Sequence, residues 1–316
     1  MTRFQSLLSL ALILMIGADG YAQNHPSIPM QRNSYGLYTL ETHVGRSVLF
    51  SGNPDADPVP FIIDTGASHT AAPRLIAQQL ADQQVITLDQ VAHGITGQFD
   101  ADLIFVEHLD YGLGPRVIEV AVFEDAFGSV MSAAGLLGAN AFTTEIIQVD
   151  FPRARLELLP QRVALSTSTL SVQDGLVMGV GQVRGVDAPV RVLVDTGATA
   201  SIVNTAFMHA RAGPQSSTSM EIEGVSGDSR AVGEVRRMFS RFRVDDLCIG
   251  LFEITVSDVY AFEHHGWAEE PAIILGMDVL QHAVISIDYG SGGVALQGFD
   301  RMACPGARTH ASLSPR

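Results

Sequence analysis

The chain has 316 residues, 47% of them hydrophobic and 17% charged, which is enough apolar material for two domains or one large bilobal unit and too little charge for a disordered chain. Its formal net charge of −15 argues against nucleic acid and anionic membrane surfaces as partners, although an acidic surface identifies no substrate by itself.

Residues 1–22 read as a cleavable export signal: Arg3 precedes an apolar stretch from Leu7 to Ile16, followed by the small-residue site Gly20-Tyr21-Ala22. That stretch is shorter than the about 20 residues of a membrane span. No cysteine stands near the cleavage site, so lipid attachment is not expected there. A short N-terminal segment, 23–35, leads into a first half-unit, 36–160. Within it the apolar run Phe61-Ile62-Ile63 ends on Asp64-Thr65-Gly66-Ala67. Ala72 to Gln84, with Pro73 near its start, is a candidate helix. Gly94-Ile95-Thr96-Gly97 lies between strand-like runs and reads as a hairpin tip. Leu136-Leu137-Gly138-Ala139-Asn140 opens a short helix toward Thr143, and Val149-Asp150-Phe151 follows. Residues 161–174, with Ser166-Thr167-Ser168-Thr169, are the expected linker.

The second half-unit, 175–304, repeats these landmarks in order. Val192-Leu193-Val194 ends on Asp195-Thr196-Gly197-Ala198, and Thr205 to Ala212 is a candidate helix. Gly224-Val225-Ser226-Gly227 is the second hairpin tip. Ile274-Leu275-Gly276-Met277-Asp278 opens a short helix to His282, with Ile287-Asp288-Tyr289 after it. Asp64 and Asp195 are 131 residues apart, Gly94 and Gly224 130, and Gly138 and Gly276 138. Four ordered matches imply two homologous halves, each built mainly of short β-branched strands bounded by Gly, Pro or Asp. The insertion from Phe262 to Pro271 carries His264, His265 and Trp267 beside Glu263, Glu269 and Glu270. No second cluster at ligand spacing accompanies those histidines, so a solvated loop is expected and no metal site. Trp267 either lines a cleft or sits on the surface. Cys248 and Cys304 are a possible disulfide in an exported chain. Closing that 56-residue loop is worth about 4 kcal/mol by chain entropy. The tail from Pro305 is expected to fray.

A carboxylate directly after a buried apolar run is costly unless it is partnered. Its duplication suggests that Asp64 and Asp195 meet. Gly66 and Gly197 permit a sharp turn and close approach. Thr65 and Thr196 offer hydroxyls that can bond backbone across a pseudo-twofold axis. Two carboxylates about 3 Å apart share one proton, the arrangement that activates water in aspartic proteases. His69 has Ala200 as its counterpart, which argues for a structural role. Ser68 and Ser201 lack a His-Asp framework for nucleophilic chemistry.

The stretch Asp64-Thr65-Gly66-Ala67-Ser68-His69, its partner Asp195-Thr196-Gly197-Ala198-Thr199, and the apolar-apolar-Gly segments ending at Gly138 and Gly276 resemble the retropepsin-like aspartic proteases. The likeness is to their bacterial exported relatives, with two half-units fused in one chain, and it covers roughly residues 36 to 300. The resemblance implies an all-β, two-lobed, pseudo-twofold acid-protease fold, with residues 94–97 and 224–227 as flaps. It also implies peptide or protein substrates and no cofactor; where retropepsins usually complete the dyad by dimerising, the two motifs here place Asp64 and Asp195 in one chain, which is expected to act as a monomer. Alternatives are a non-catalytic peptide-binding module and a protease active only as a homodimer. Export places the protein in the bacterial envelope, most simply the periplasm. Ala67 and Ala198 stand where pepsin-like enzymes carry a hydroxyl that would lower the aspartate pKa, so a less acidic dyad is expected, working at mildly acidic to near-neutral pH.

Overall fold

A computed structural model of the chain describes residues 26–45, 58–74, 76–77, 86–123, 135–143, 145–161, 163, 165, 168–210, 218–223 and 230–299. The signal segment, the 224–227 tip, Cys304 and the tail lie outside these residues. The first half begins with Ser27–Pro29 (β1), Gln31–Arg32 (β2), Tyr38–Gly45 (β3), Val59–Ile63 (β4) and Thr70–Pro73 (β5). It continues through Ile86–His93 (β6), Gln98–Asp110 (β7), Arg116–Phe123 (β8), Gly135–Leu137 (β9), Ile146–Asp150 (β10) and Arg155–Leu159 (β11). The second half begins with Leu170–Gln173 (β12), Leu176–Val183 (β13), Val190–Val194 (β14), Ile202–Val203 (β15) and helix Thr205–Ala210 (α1). Thr218–Glu223 (β16), Arg230–Val244 (β17) and Leu247–Val256 (β18) follow, then helix Tyr260–His264 (α2) and Ala272–Leu275 (β19). Helix Met277–Leu280 (α3), Ala283–Asp288 (β20) and Gly293–Gly298 (β21) complete it. The fold is mostly strand, as the short β-branched runs require.

The two halves share one topology. The strand order β3-β4-β9-β5-β8-β7-β6 of the first recurs as β13-β14-β19-β15-β18-β17-β16 in the second. Extra pairings of β3 with β7 and of β13 with β17 curl each sheet toward a barrel. In both halves the strand before the aspartate runs parallel to an apolar strand buried on both faces, Ile63 opposite Leu137 and Val194 opposite Leu275. Such strands read as continuous hydrophobic runs because neither face meets water. Every residue of Ala272–Leu275 is buried.

The halves join where β10 and β20 pair antiparallel, with Gln148 directly opposite Ser286. These residues are 138 positions apart, the offset of the glycine segments, so the pseudo-twofold axis passes between equivalents. One hydrophobic cluster runs through this junction, including Phe61, Ile147, Phe151, Ile285 and Ile287. β1 adds to β11 at the outer edge, and β12, inside the expected linker, pairs with β13 and β21.

The helix expected from Ala72 to Gln84 needs correction. Ala72 and Pro73 belong to β5, opposite Val122 and Phe123, and helical residues begin only at Arg74. Ala72 is fully buried, and pairing in a buried sheet overrides alanine's helix preference. Residues 78–84 lie outside the described set. After Gly138 the chain makes a single 3-10 turn, Ala139–Phe142, the counterpart of α3.

Candidate active site

Asp64 and Asp195 each follow the last residue of a buried strand. Their amides donate to Leu137 O and Leu275 O, both at 3.0 Å, which carries each loop one step past the parallel pair. The side chains stay inside, with only 8% and 4% exposure. Each loop then folds back on its carboxylate. Gly66 N donates to Asp64 Oδ1 at 2.9 Å and Gly197 N to Asp195 Oδ1 at 2.8 Å.

The two loops are tied reciprocally. Thr65 N donates to Thr196 Oγ1 at 3.0 Å and Thr196 N to Thr65 Oγ1 at 3.2 Å. The hydroxyls in turn donate across the axis, Thr65 to Val194 O at 2.7 Å and Thr196 to Ile63 O at 2.6 Å. Glycine is required after each threonine because the opposite carboxyl is already there. A Cβ on Gly66 would lie 2.5 Å from Asp195 Cγ, and one on Gly197 would lie 2.6 Å from Asp64 Cγ. The structure thus brings Asp64, Thr65, Gly66, Asp195, Thr196 and Gly197 together within one chain.

The aspartate carboxyls adjoin each other, and their environments differ. Burial pushes the Asp64 carboxyl well above the ordinary carboxylate range, and the adjacent Asp195 charge pushes it further. The N–H groups of Gly66 and Gly197 oppose this only in part. Burial also raises Asp195, but bonds from Gly197, Asp64 and Ala198 favour its ionised form. Ala198 N reaches Asp195 Oδ1 at 3.1 Å, whereas Ala67 N donates to the Asp64 backbone oxygen at 3.3 Å. Burial thus raises both carboxyls, and the pair is poised to hold a proton.

Behind each loop lies a polar support. Gly138 N donates to Thr70 Oγ1 at 3.3 Å, and that hydroxyl donates to Asn140 Oδ1 at 2.8 Å. In the second half Gly276 N donates to Ser201 Oγ at 3.0 Å, which donates to Asp278 Oδ1 at 2.7 Å. Gly138 and Gly276 press against the aspartate loops so closely that a Cβ would lie 2.4 Å from His69 backbone and 2.6 Å from Ala200 backbone. Sequence reasoning assigned no role to Thr70, Asn140 or Asp278 and considered Ser201 only as a nucleophile. The signal was present: Thr70 and Ser201 each stand six residues after an aspartate. Burial raises the Asp278 carboxyl despite the hydroxyl bond.

Gly94–Gly97 is the tip between β6 and β7, closed by Gly94 N to Gly97 O at 2.7 Å. The partner tip, Gly224 to Gly227, lies outside the described residues. His69 is half exposed; its Nδ1 is 3.0 Å from Ser68 Oγ and its Nε2 3.7 Å from Glu119. His264 is exposed, as expected of a solvated segment, but belongs to a helix and not a loop. It lies on α2 and stacks on His93, with ring centroids 4.0 Å apart, a contact that sequence separation conceals. His265 packs beside Trp267, which rests partly buried on the second half's own hydrophobic cluster. Among the described residues no group of three or more His, Cys, Asp or Glu side chains is arranged to hold a metal. Cys248 is disulfide-bonded.

Residues 181–282 match the family described as gag-polyprotein putative aspartyl protease. The match runs from β13 past α3 and takes in Asp195, Thr196, Gly197 and Gly276. No curated protein matches the chain.

Proposed function

From the premise that residues 181–282 form a retropepsin-like aspartyl protease domain, we propose that the whole chain is an exported, monomeric aspartic endopeptidase whose two halves supply one aspartate each. The observation that carries this reading is the close approach of the Asp64 and Asp195 carboxyls, each packed on the other loop's glycine and buried between loops tied by reciprocal threonine bonds. A water held between the carboxyls meets one base and one acid. Asp195 takes a proton from the water as its oxygen attacks the scissile carbonyl carbon, and Asp64 donates its proton to the carbonyl oxygen. The resulting gem-diol collapses as the amine leaves with the proton held on Asp195, and Asp64 recovers one from the diol. The carboxyls return to one shared proton. Thr65, Gly66, Thr196 and Gly197 shape the pair, Ala67 and Ala198 leave it without a hydroxyl donor, and the two glycine tips cover peptide.

Peptide-library cleavage by the mature protein, read by mass spectrometry beside Asp64→Asn and Asp195→Asn, tests the chemistry. Cleavage by the wild type alone is expected. Silence of the wild type from pH 4 to 8 would replace this reading with a peptide-binding module. Activity confined to a dimeric fraction on a sizing column would transfer the dyad to two chains. Export is supported by residues 1–22, and N-terminal sequencing of the secreted product is expected to begin at Gln23.

A further inference from the structure

The first hairpin is fastened to the second half by side chains that the peptide-bond chemistry does not use. His93, the last residue of β6, places Nδ1 2.9 Å from the Tyr260 hydroxyl. Its ring stacks on His264 at 4.0 Å with an 18° interplanar angle, and lies nearly parallel to Tyr260 at 6.0 Å. Beyond His264, the rings of His265 and Trp267 continue the row at spacings of 5.1 Å. Two residues into the tip, Ile95 O accepts the Ala261 N–H at 3.1 Å. The Ile95 side chain packs on the cluster that holds Met178, Ile222, Ala261 and, from the Asp195 loop, Ala198. Side chain, backbone and apolar contact thus all tie one hairpin to one helix across the two halves.

Two of the three tethering side chains are imidazoles, the side-chain type whose ordinary pKa lies nearest neutral pH. His93 and His264 are exposed, so protons reach them freely. Tyr260 and His264 of α2 face His93, with the exposed Glu263 on the same helix. His265 is faced by His264 and His93 and by Asp174 of the β12–β13 turn, of which Asp174 alone favours its charged form. Two neutral imidazoles stack favourably at 4.0 Å, whereas two imidazolium rings at that distance repel.

We propose that His93, Tyr260 and His264 form a latch that holds the first hairpin on the second half at neutral pH and releases it on acidification, opening the cleft to peptide. The gating consequence rests on the protease reading, while the latch itself does not. Partial desolvation at the ring stack, and secondarily the charge of His264, hold the exposed His93 below the ordinary histidine pKa; desolvation and the neighbouring histidines lower the half-buried His265. The latched state therefore binds fewer protons than the released one. Its stability is complete above the ordinary value of about 6.5 and declines as pH falls below it.

Hydrogen exchange on the mature full-length protein, corrected for the intrinsic pH dependence of amide exchange, reads the latch directly. Protection of the 93–98 peptide and of the Ala261 amide is expected to fall between pH 7 and pH 5, by about tenfold for each unit by which latching lowers the histidine pKa. Peptides from β10 and β20 should stay protected, separating release from unfolding. Tyr260→Phe should lower hairpin protection already at pH 7. The double variant His93→Phe, His264→Phe keeps the ring stack without the charges and should lose the pH dependence. Trp267, the chain's one tryptophan, reports by its fluorescence whether the region around α2 remains folded in each variant. Protection flat from pH 7 to 5 in the wild type, or an undiminished fall in the double variant, overturns the latch. A protein that shows the release but cleaves no peptide keeps the latch and loses the protease reading. One that cleaves with flat exchange does the reverse.

Discussion

Replacing Thr196 by valine removes a hydroxyl from the tie between the aspartate loops while keeping the side chain's shape. Thr196 is 1% exposed, so the groups it serves have no water to turn to. Two are orphaned: Thr65 N, which donates to Oγ1 at 3.0 Å, and Ile63 O, which accepts from it at 2.6 Å. Each buried unpaired group costs about 1–3 kcal/mol, so a loss of about 2–6 kcal/mol is expected. Thr196→Ser retains the hydroxyl and forfeits one methyl, about 0.8 kcal/mol. Urea unfolding followed by circular dichroism separates the two variants. The double variant with Thr65→Val should cost less than the sum of the singles, because loops parted by the first change have less to lose from the second. Displacing a carboxyl by about 1 Å is enough for a hundredfold loss of rate, so kcat/KM should fall at least that far in Thr196→Val, with serine within tenfold of wild type. A valine variant within about 1 kcal/mol of wild type, or indistinguishable from serine, would refute the reasoning.

Three further changes test other parts of the site. Gly197→Ala puts a Cβ 2.6 Å from Asp64 Cγ, and is expected to abolish measurable cleavage while the protein still unfolds cooperatively; retained activity would show that the carboxyls have room to separate. The raised Asp64 pKa means that the folded state holds a proton that the unfolded chain releases near pH 4. Its stabilising contribution is therefore full below that pH and declines as pH rises toward the folded value. Asp64→Asn should remove this decline, so thermal melts of variant and wild type diverge between pH 4 and 7 with the variant the more stable; parallel melts would refute the assignment. The same sign applies to Asp278, raised by burial. Asp278→Asn, which copies Asn140 and can still accept from Ser201, should stabilise at pH 7 and be neutral at pH 3, read by the same melts; destabilisation at pH 7 would show that the charge itself is needed.

Much of the architecture is legible in the chain. The 138-residue offset between Gly138 and Gly276 also relates Gln148 to Ser286, which face each other at the junction. Apolar triplets before each Asp-Thr-Gly are buried parallel strands, and the first Gly-x-x-Gly is a tip. Local chemistry suffices here, because a tight turn, a doubly buried strand and a repeat leave their marks within a few residues. Thr70 and Ser201 were missed because a small hydroxyl residue in a strand looks the same whether it supports a loop or merely fills space. Ala72 was misread because burial in a sheet leaves no local sign in an alanine-rich segment.

The sequence by itself determined that two equivalent halves would each present an aspartate behind a glycine turn, since strand burial and turn geometry are short-range properties. Only the tertiary structure decided that the two carboxyls meet, because the loops that carry them are tied across 131 residues by reciprocal threonine bonds. It also decided that His93 meets Tyr260 across 167 residues, a pairing set by how two lobes pack and carried by no local pattern.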